Sequence, residues 1–301
     1  MTSSHDPTPA LSSDVPRHDV PLHGRSGFTV IEGRQIHYLQ WGPTNAPPVL
    51  CLHGGGQTAY MYEELGAALC QRYHVFAPDL PDHGDSDPAS AFGRHAIAST
   101  LPPLLAHFGL QKVAIVGASL GGIVAITHAA AHRDTVGAIA LIDVGHRLEE
   151  EGVQKIMNFM RAHESFASLE HAAAEIAKYL PHRTSVRPER LRRNLRQRSD
   201  GRWIWKHGYN RRLRAEGDQP ARNWRNVIDG LDRDAAALRC PVLVLRGATS
   251  DVLSDQGAQE VTALIPDARL AIVANAGHLA AGDNPDSTGN LISSFLADIG
   301  W

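Results

Sequence analysis

Ser119 stands in Gly117-Ala118-Ser119-Leu120-Gly121, between an apolar run, Lys112-Val113-Ala114-Ile115-Val116, and a stretch from Leu120 to His132 rich in Ala, Gly and Ile. The run reads as a short buried strand and the stretch as a buried helix. A serine at so sharp a strand-to-helix turn is held in a strained backbone conformation with its Oγ exposed. The flanking glycines let helix and neighbouring strands approach without a Cβ clash. The chemistry open to such a group is nucleophilic attack, and a serine hydroxyl needs a base to take its proton and a carboxylate to orient that base.

Of 17 histidines, His278 alone lies beyond the last strands; the one before it is His207. It follows the strand-like Leu270-Ala271-Ile272-Val273 on the loop Asn275-Ala276-Gly277-His278, which places an imidazole just past a strand end. For the acid, Asp251 follows the strand-like Val242-Leu243-Val244-Leu245-Arg246-Gly247 and is the preferred candidate. Asp255 is close by but falls inside the next helix, and Asp143 ends another strand, where it would either serve as the acid or anchor the segment that follows. Backbone donors for a developing oxyanion are expected from the N–H of Leu120, which opens the helix after the serine. The second is expected from the glycine loop His53-Gly54-Gly55-Gly56, with Gly55 preferred and Gly56 as the alternative.

These residues must be carried by a sheet. Residues 28–31 and 34–41 read as a hairpin turning at Glu32-Gly33, followed by strands at 48–52, 73–78, 112–116 and 138–144 with helices at 58–71, 95–108 and 120–132 between them. Strand–helix alternation implies a parallel sheet covered on both faces. From about 146 to 235 the alternation stops, with helical patterns near 148–163, 168–179 and 188–197, and residues 183–225 hold thirteen arginines against four acidic residues. It resumes with strands at 241–246 and 268–273 and helices near 254–265 and 286–298. The expected organisation is a loosely attached arm over 1–24, a core over 25–145 and 236–301, and a mainly helical lid over 146–235.

A net charge of −3 lacks the basic signature of a nucleic-acid binder. No apolar stretch approaches the roughly 20 residues of a membrane span, and the N-terminus has no apolar leader. Three scattered cysteines, Cys51, Cys70 and Cys240, suit buried thiols in a reducing compartment, so a cytoplasmic location is expected.

His53-Gly54-Gly55-Gly56, the turn from Asp79 to Asp87, Gly117 to Gly122, Asp251 and His278 together resemble the α/β-hydrolase superfamily, in its lidded, epoxide-hydrolase-like branch, over about residues 25–300. The resemblance implies a mostly parallel eight-stranded sheet with helices on both faces and a lid inserted after the sixth strand. It also implies an ester-cleaving serine hydrolase with no cofactor and no metal, acting on a small-molecule ester. Ser119 argues against the branch members that use an aspartate nucleophile. Asp82 stands where the family usually has glycine. Carbon–carbon bond hydrolases and slow ligand receptors share the fold; the first usually carry a different loop after His-Gly. In the lid, Trp203 and Trp205 are candidates for an aromatic wall over the substrate, or for packing of the lid on the core. The lid arginines suggest a substrate bearing a free carboxylate.

Overall fold

The computed structural model describes residues 20–88, 91, 93–181, 186–208 and 225–301. Its centre is an eight-stranded sheet in the order β1 (Arg25–Ile31), β2 (Arg34–Trp41), β4 (His74–Pro78), β3 (Pro48–Leu52), β5 (Val113–Ala118), β6 (Val136–Ile142), β10 (Val242–Gly247) and β11 (Ala268–Val273). β1 and β2 are antiparallel, and β2 meets β4 antiparallel, whereas the six strands from β4 to β11 run parallel. The first hairpin turns at Glu32 and Gly33, both with positive φ (50° and 76°), the pairing that matches strand twist in a two-residue turn.

Side-chain alternation along the buried strands divides the core in two. Leu50, Leu52, Phe76, Ile115, Ile139, Leu141 and Val244 point to one face. They pack there with α2 (Arg94–Ala98), α3 (Leu101–His107), α4 (Leu120–Ala131) and α7 (Leu231–Ala236). Val49, Cys51, Val75, Val116, Ala140 and Leu245 point to the other, against α1 (Glu63–Leu69) and α10 (Pro285–Asp298). Both faces are thus covered, as β-branched and aliphatic runs in a parallel sheet require.

Three local expectations change in detail. The helix read over 95–108 is two helices, because Pro102 and Pro103 lack N–H groups and are tolerated only in a first turn, where α3 begins. The helix read over 58–71 opens as a 3₁₀ turn at Ala59–Tyr62 before α1. The pattern over 188–197 is a 3₁₀ turn, Pro188–Arg193, followed by a strand.

That strand belongs to a small second sheet inside the long insert between β6 and β10. The insert holds α5 (Glu150–Ala162), β7 (Ser165–Phe166), α6 (Leu169–Tyr179), β8 (Leu195–Gln197) and β9 (Trp203–Trp205), with strand order β7-β9-β8. Phe166, Leu169, Leu195 and Trp203 form its own small core, so pairing and burial override the helical pattern of 188–197. The insert is tied to the sheet domain on several sides: Glu149 N–H to Val252 O (2.8 Å), Arg190 to Glu64 (2.8 Å), Arg193 to Glu63, and Lys206 to Asp85 (2.7 Å).

Of the N-terminal arm, residues 1–19 lie outside the described residues, as do Arg183 and the arginines between 209 and 224. Residues beyond the arm's start are fixed: Leu22 N–H donates to Glu63 (2.8 Å) and the Trp41 indole N–H donates to Leu22 O (2.9 Å). Among the described residues no helix is long and apolar enough to cross a membrane. The three cysteines are unpaired, with Cys51 buried.

Candidate active site

β5 ends at Ala118, and Ser119 turns the chain into α4 with φ 46° and ψ −115°. A non-glycine residue there carries strain of about 1–3 kcal/mol, tolerated only where the surroundings impose it. They do: Ser119 N–H is held by Ile142 O (3.1 Å), and Gly121 lies so close to β3 that a Cβ would sit 1.9 Å from Leu52 O. A Cβ on Gly117 would fall 2.6 Å from Gly121 O. The glycines around Ser119 are therefore steric requirements of the turn.

The loop after β3 passes beside it. His53 is fully buried; its Nδ1–H donates to Gly54 O (2.8 Å) and its Nε2 accepts from Leu80 N–H (2.9 Å). Burial, reinforced by the neighbouring His83, lowers its pKa to about 4, so it stays neutral and braces the loop. Gly54 N–H is taken by Gln57 Oε1 (3.2 Å). The N–H groups of Gly55 and Leu120 have no partner among the described residues, and both residues line the same cavity as Ser119. Gly56, at φ 74°, lies under Met160 of α5.

His278 is held by Asp143. Its Nδ1–H donates to Asp143 Oδ2 at 2.8 Å, leaving Nε2 as the ring nitrogen available to the cavity. Asp143 is the residue after β6, at φ 50°, and is fully buried. Its carboxylate also accepts Gly247 N–H (3.0 Å) and the Ser250 hydroxyl (2.5 Å). Asp251, the preferred candidate in the sequence, is instead half-exposed and pairs with Lys155 of α5 at 2.8 Å, while His278 Nδ1–H goes to Asp143. The cause is the fold of the loop after β10. The Arg246 guanidinium gathers the carbonyls of Leu253 (2.8 Å), Ala248 (3.3 Å) and Ser250 (3.4 Å), which turns Ser250 inward and Asp251 outward. Asp255 opens the helix α8 (Asp255–Leu264) and pairs with Arg246 (3.0 Å), away from His278.

Of the two tryptophans, Trp203 takes a packing position. It is buried in the small core of the insert, with Arg192 stacked over it at 4.8 Å, and does not line the cavity. Trp205, two residues on and on the same face of β9, reaches that core's rim and does line the cavity, its indole N–H donating to His163 O (2.8 Å).

The turn from Asp79 to Asp87 brings His37, Asp79 and Asp85 together in a group that metals could favour. Here Asp79 already accepts from His37 Nδ1–H (2.7 Å), Ala59 N–H (2.7 Å) and Asp85 N–H (2.9 Å), and Asp85 faces Lys206. These bonds brace the turn. Asp82, at φ 65°, adopts the left-handed conformation for which glycine is the usual choice.

The cavity over Ser119, Leu120 and His278 encloses about 1440 Å³. Its far walls come from the insert: Ile156, Met157, Phe159, Met160, Ile176 and Tyr179, with Met61 from the core. All three methionines after Met1 are among them, a flexible and polarizable lining. Its cations are mostly neutralised: Lys155 by Asp251, Lys178 by Glu175 (2.7 Å), and Arg190 and Arg193 by Glu64 and Glu63.

The strand order, the strained serine at the end of β5 and the histidine loop after β11 define an α/β hydrolase. Residues 47–285 match the family model of the alpha/beta hydrolase fold, and the chain belongs to that family. It is 29% identical over 282 residues to the esterase Rv0045c of Mycobacterium tuberculosis, covering 88% of each chain. It is 26% identical to the 3-hydroxybutyrate-oligomer hydrolase of Cupriavidus necator over 81% of this chain and 87% of that one. The solved structure of an alpha/beta hydrolase from Novosphingobium aromaticivorans is similar with a TM-score of 0.76 and 28% identity, over 91% of this chain and 98% of that one.

Proposed function

We propose that this chain is a serine hydrolase of carboxylic esters, working through an acyl-enzyme. The observation that carries the reading is the buried Asp143 carboxylate bonded to His278 Nδ1 on the same cavity as the strained Ser119. In this reading Ser119 Oγ attacks the ester carbonyl and its proton passes to His278 Nε2. Asp143 fixes the tautomer and stabilises the imidazolium. The N–H groups of Gly55 and Leu120 receive the oxyanion; one such donor is worth about 10²–10³ in turnover. His278 then protonates the leaving alcohol, and water repeats the sequence on the acyl group. The esterase and oligomer-hydrolase relatives support an ester as substrate.

The insert over 146–235 acts as the lid, and its apolar wall selects the substrate. Since Glu63 and Glu64 occupy Arg190 and Arg193, the substrate is a neutral ester with a sizeable apolar group, in place of the free carboxylate that the arginines suggested. Accordingly, kcat/KM for a neutral aryl ester should exceed that for its counterpart with a free carboxylate by about tenfold or more, an effect of roughly 1.4 kcal/mol. A preference for the anionic ester would return the arginines to the substrate site.

The main test is chemical. Incubation with a p-nitrophenyl ester and with an alkyl fluorophosphonate should each add a group to Ser119, located by peptide mass spectrometry, with a burst of p-nitrophenol preceding steady turnover. Turnover with the adduct on another residue, or no adduct at all, would remove the reading.

A further inference from the structure

We propose that Ser250 is a positioning residue for the catalytic acid: its hydroxyl, locked onto Asp143, sets the basicity of the carboxylate that holds His278. The inference rests on the serine-hydrolase reading above and extends it to the loop after β10.

Ser250 is buried, and its Oγ lies 2.5 Å from Asp143 Oδ2, the same oxygen that takes His278 Nδ1–H. The direction of the proton is fixed by what surrounds Oγ. The N–H groups of Val252 and Leu253 both donate to it at 3.2 Å, filling its acceptor sites. The one hydroxyl proton therefore points at the carboxylate. The backbone carrying Ser250 is itself clamped by Arg246, through the carbonyls of Leu253 and Ser250. So the loop contributes a fixed donor to the acid.

A donor on a carboxylate stabilises its charged form and makes it a weaker base. On Asp143 this keeps the shared proton on the imidazole and shares the carboxylate's charge between the Ser250 hydroxyl and His278. Removing the hydroxyl leaves the carboxylate with Gly247 N–H and His278 alone, so its pull on the imidazolium grows. The other ionisable groups around this site stay in place in such a variant: Arg246 with Asp255, Asp283 bonded to Gly277 N–H, the Lys155–Asp251 pair, and His146 just after Asp143.

The test is the pH dependence of kcat/KM in Ser250→Ala, Ser250→Cys and Ser250→Thr. Ser250→Ala should move the acidic limb upward by about 0.5–1 pH unit. Ser250→Cys, a weaker donor of similar size, should move it part of the way, and Ser250→Thr should restore it. A residue that only packs the loop gives the opposite sign, since a loosened Asp143 lowers the imidazole's basicity. A downward or absent shift, or a shift that Ser250→Thr fails to reverse, would overturn the proposal. The low-field proton resonance of His278 Nδ1–H, titrated in the same variants, reads the same shift without any substrate. If no ester is cleaved, that resonance still decides the role of Ser250, while the hydrolase reading fails separately.

Discussion

Asp143→Asn should lower kcat for a neutral aryl ester by about 10⁴-fold with little change in KM, whereas Asp251→Asn should alter it less than about threefold. The amide keeps the size of Asp143 but presents no anion to the imidazolium. It also allows the wrong tautomer, with its NH₂ facing Nδ1. Asp251, by contrast, loses only a solvent-screened, exposed pair with Lys155 at 2.8 Å. Measuring both variants in one preparation separates the two acids cleanly. A large loss in Asp251→Asn with a small one in Asp143→Asn would return the role to Asp251, the acid preferred from the sequence.

The second large effect is on stability. Burial lowers the pKa of His53 to about 4, of His128 to about 4 and of His207 to about 3, each from 6.5. Each imidazole is neutral in the folded protein. Between pH 6.5 and 4 the unfolded chain binds protons that the folded chain excludes, so stability rises with pH across this window and is lost on acidification. For a histidine shifted from 6.5 to about 4, the loss between pH 7.5 and 5 is about 2 kcal/mol. Asp79, whose pKa His37 lowers against the effect of its burial, acts at lower pH, below its ordinary value of 3.8. Urea unfolding should therefore show a clearly lower midpoint at pH 5 than at pH 7.5. His128→Leu, remote from the cavity, removes a buried imidazole whose Nδ1 has no partner among the described residues and should flatten the dependence. A midpoint unchanged or higher at pH 5 would contradict the assignment of neutral histidines.

Much of the sheet was legible because its signals are local. Val113–Val116 and Val242–Leu245 are apolar runs that suit strands covered on both faces, and Glu32-Gly33 names its own turn. The serine turn was legible because backbone crowding leaves glycine as the only side chain at 117 and 121. The carboxylate that holds His278 was not, because the deciding fact is lateral. β6 and β10 are neighbours in the sheet although about a hundred residues separate them in the chain, so acids past either end can reach the loop of His278. One hint was present: Asp143 sits in Leu141-Ile142-Asp143-Val144, an apolar setting that an aspartate enters only with partners, while Asp251 follows Thr249-Ser250. The small sheet that buries Leu195 and Trp203 was not legible for a similar reason, since it pairs segments whose own patterns are short.

Asp143 also stands just before the insert, which begins three residues on at His146. Ser119 precedes it, and Ser250 and His278 come after the chain has returned to the sheet. Every group proposed for bond-making or for its support thus stands on the two core segments, and the described residues of the insert line the walls. In the proposed reading, reactivity and most of the selectivity are encoded in separate stretches of the gene. Recombination can exchange one while the other is inherited intact, and drift in the arginine-rich insert can explore new substrates without touching the chemistry.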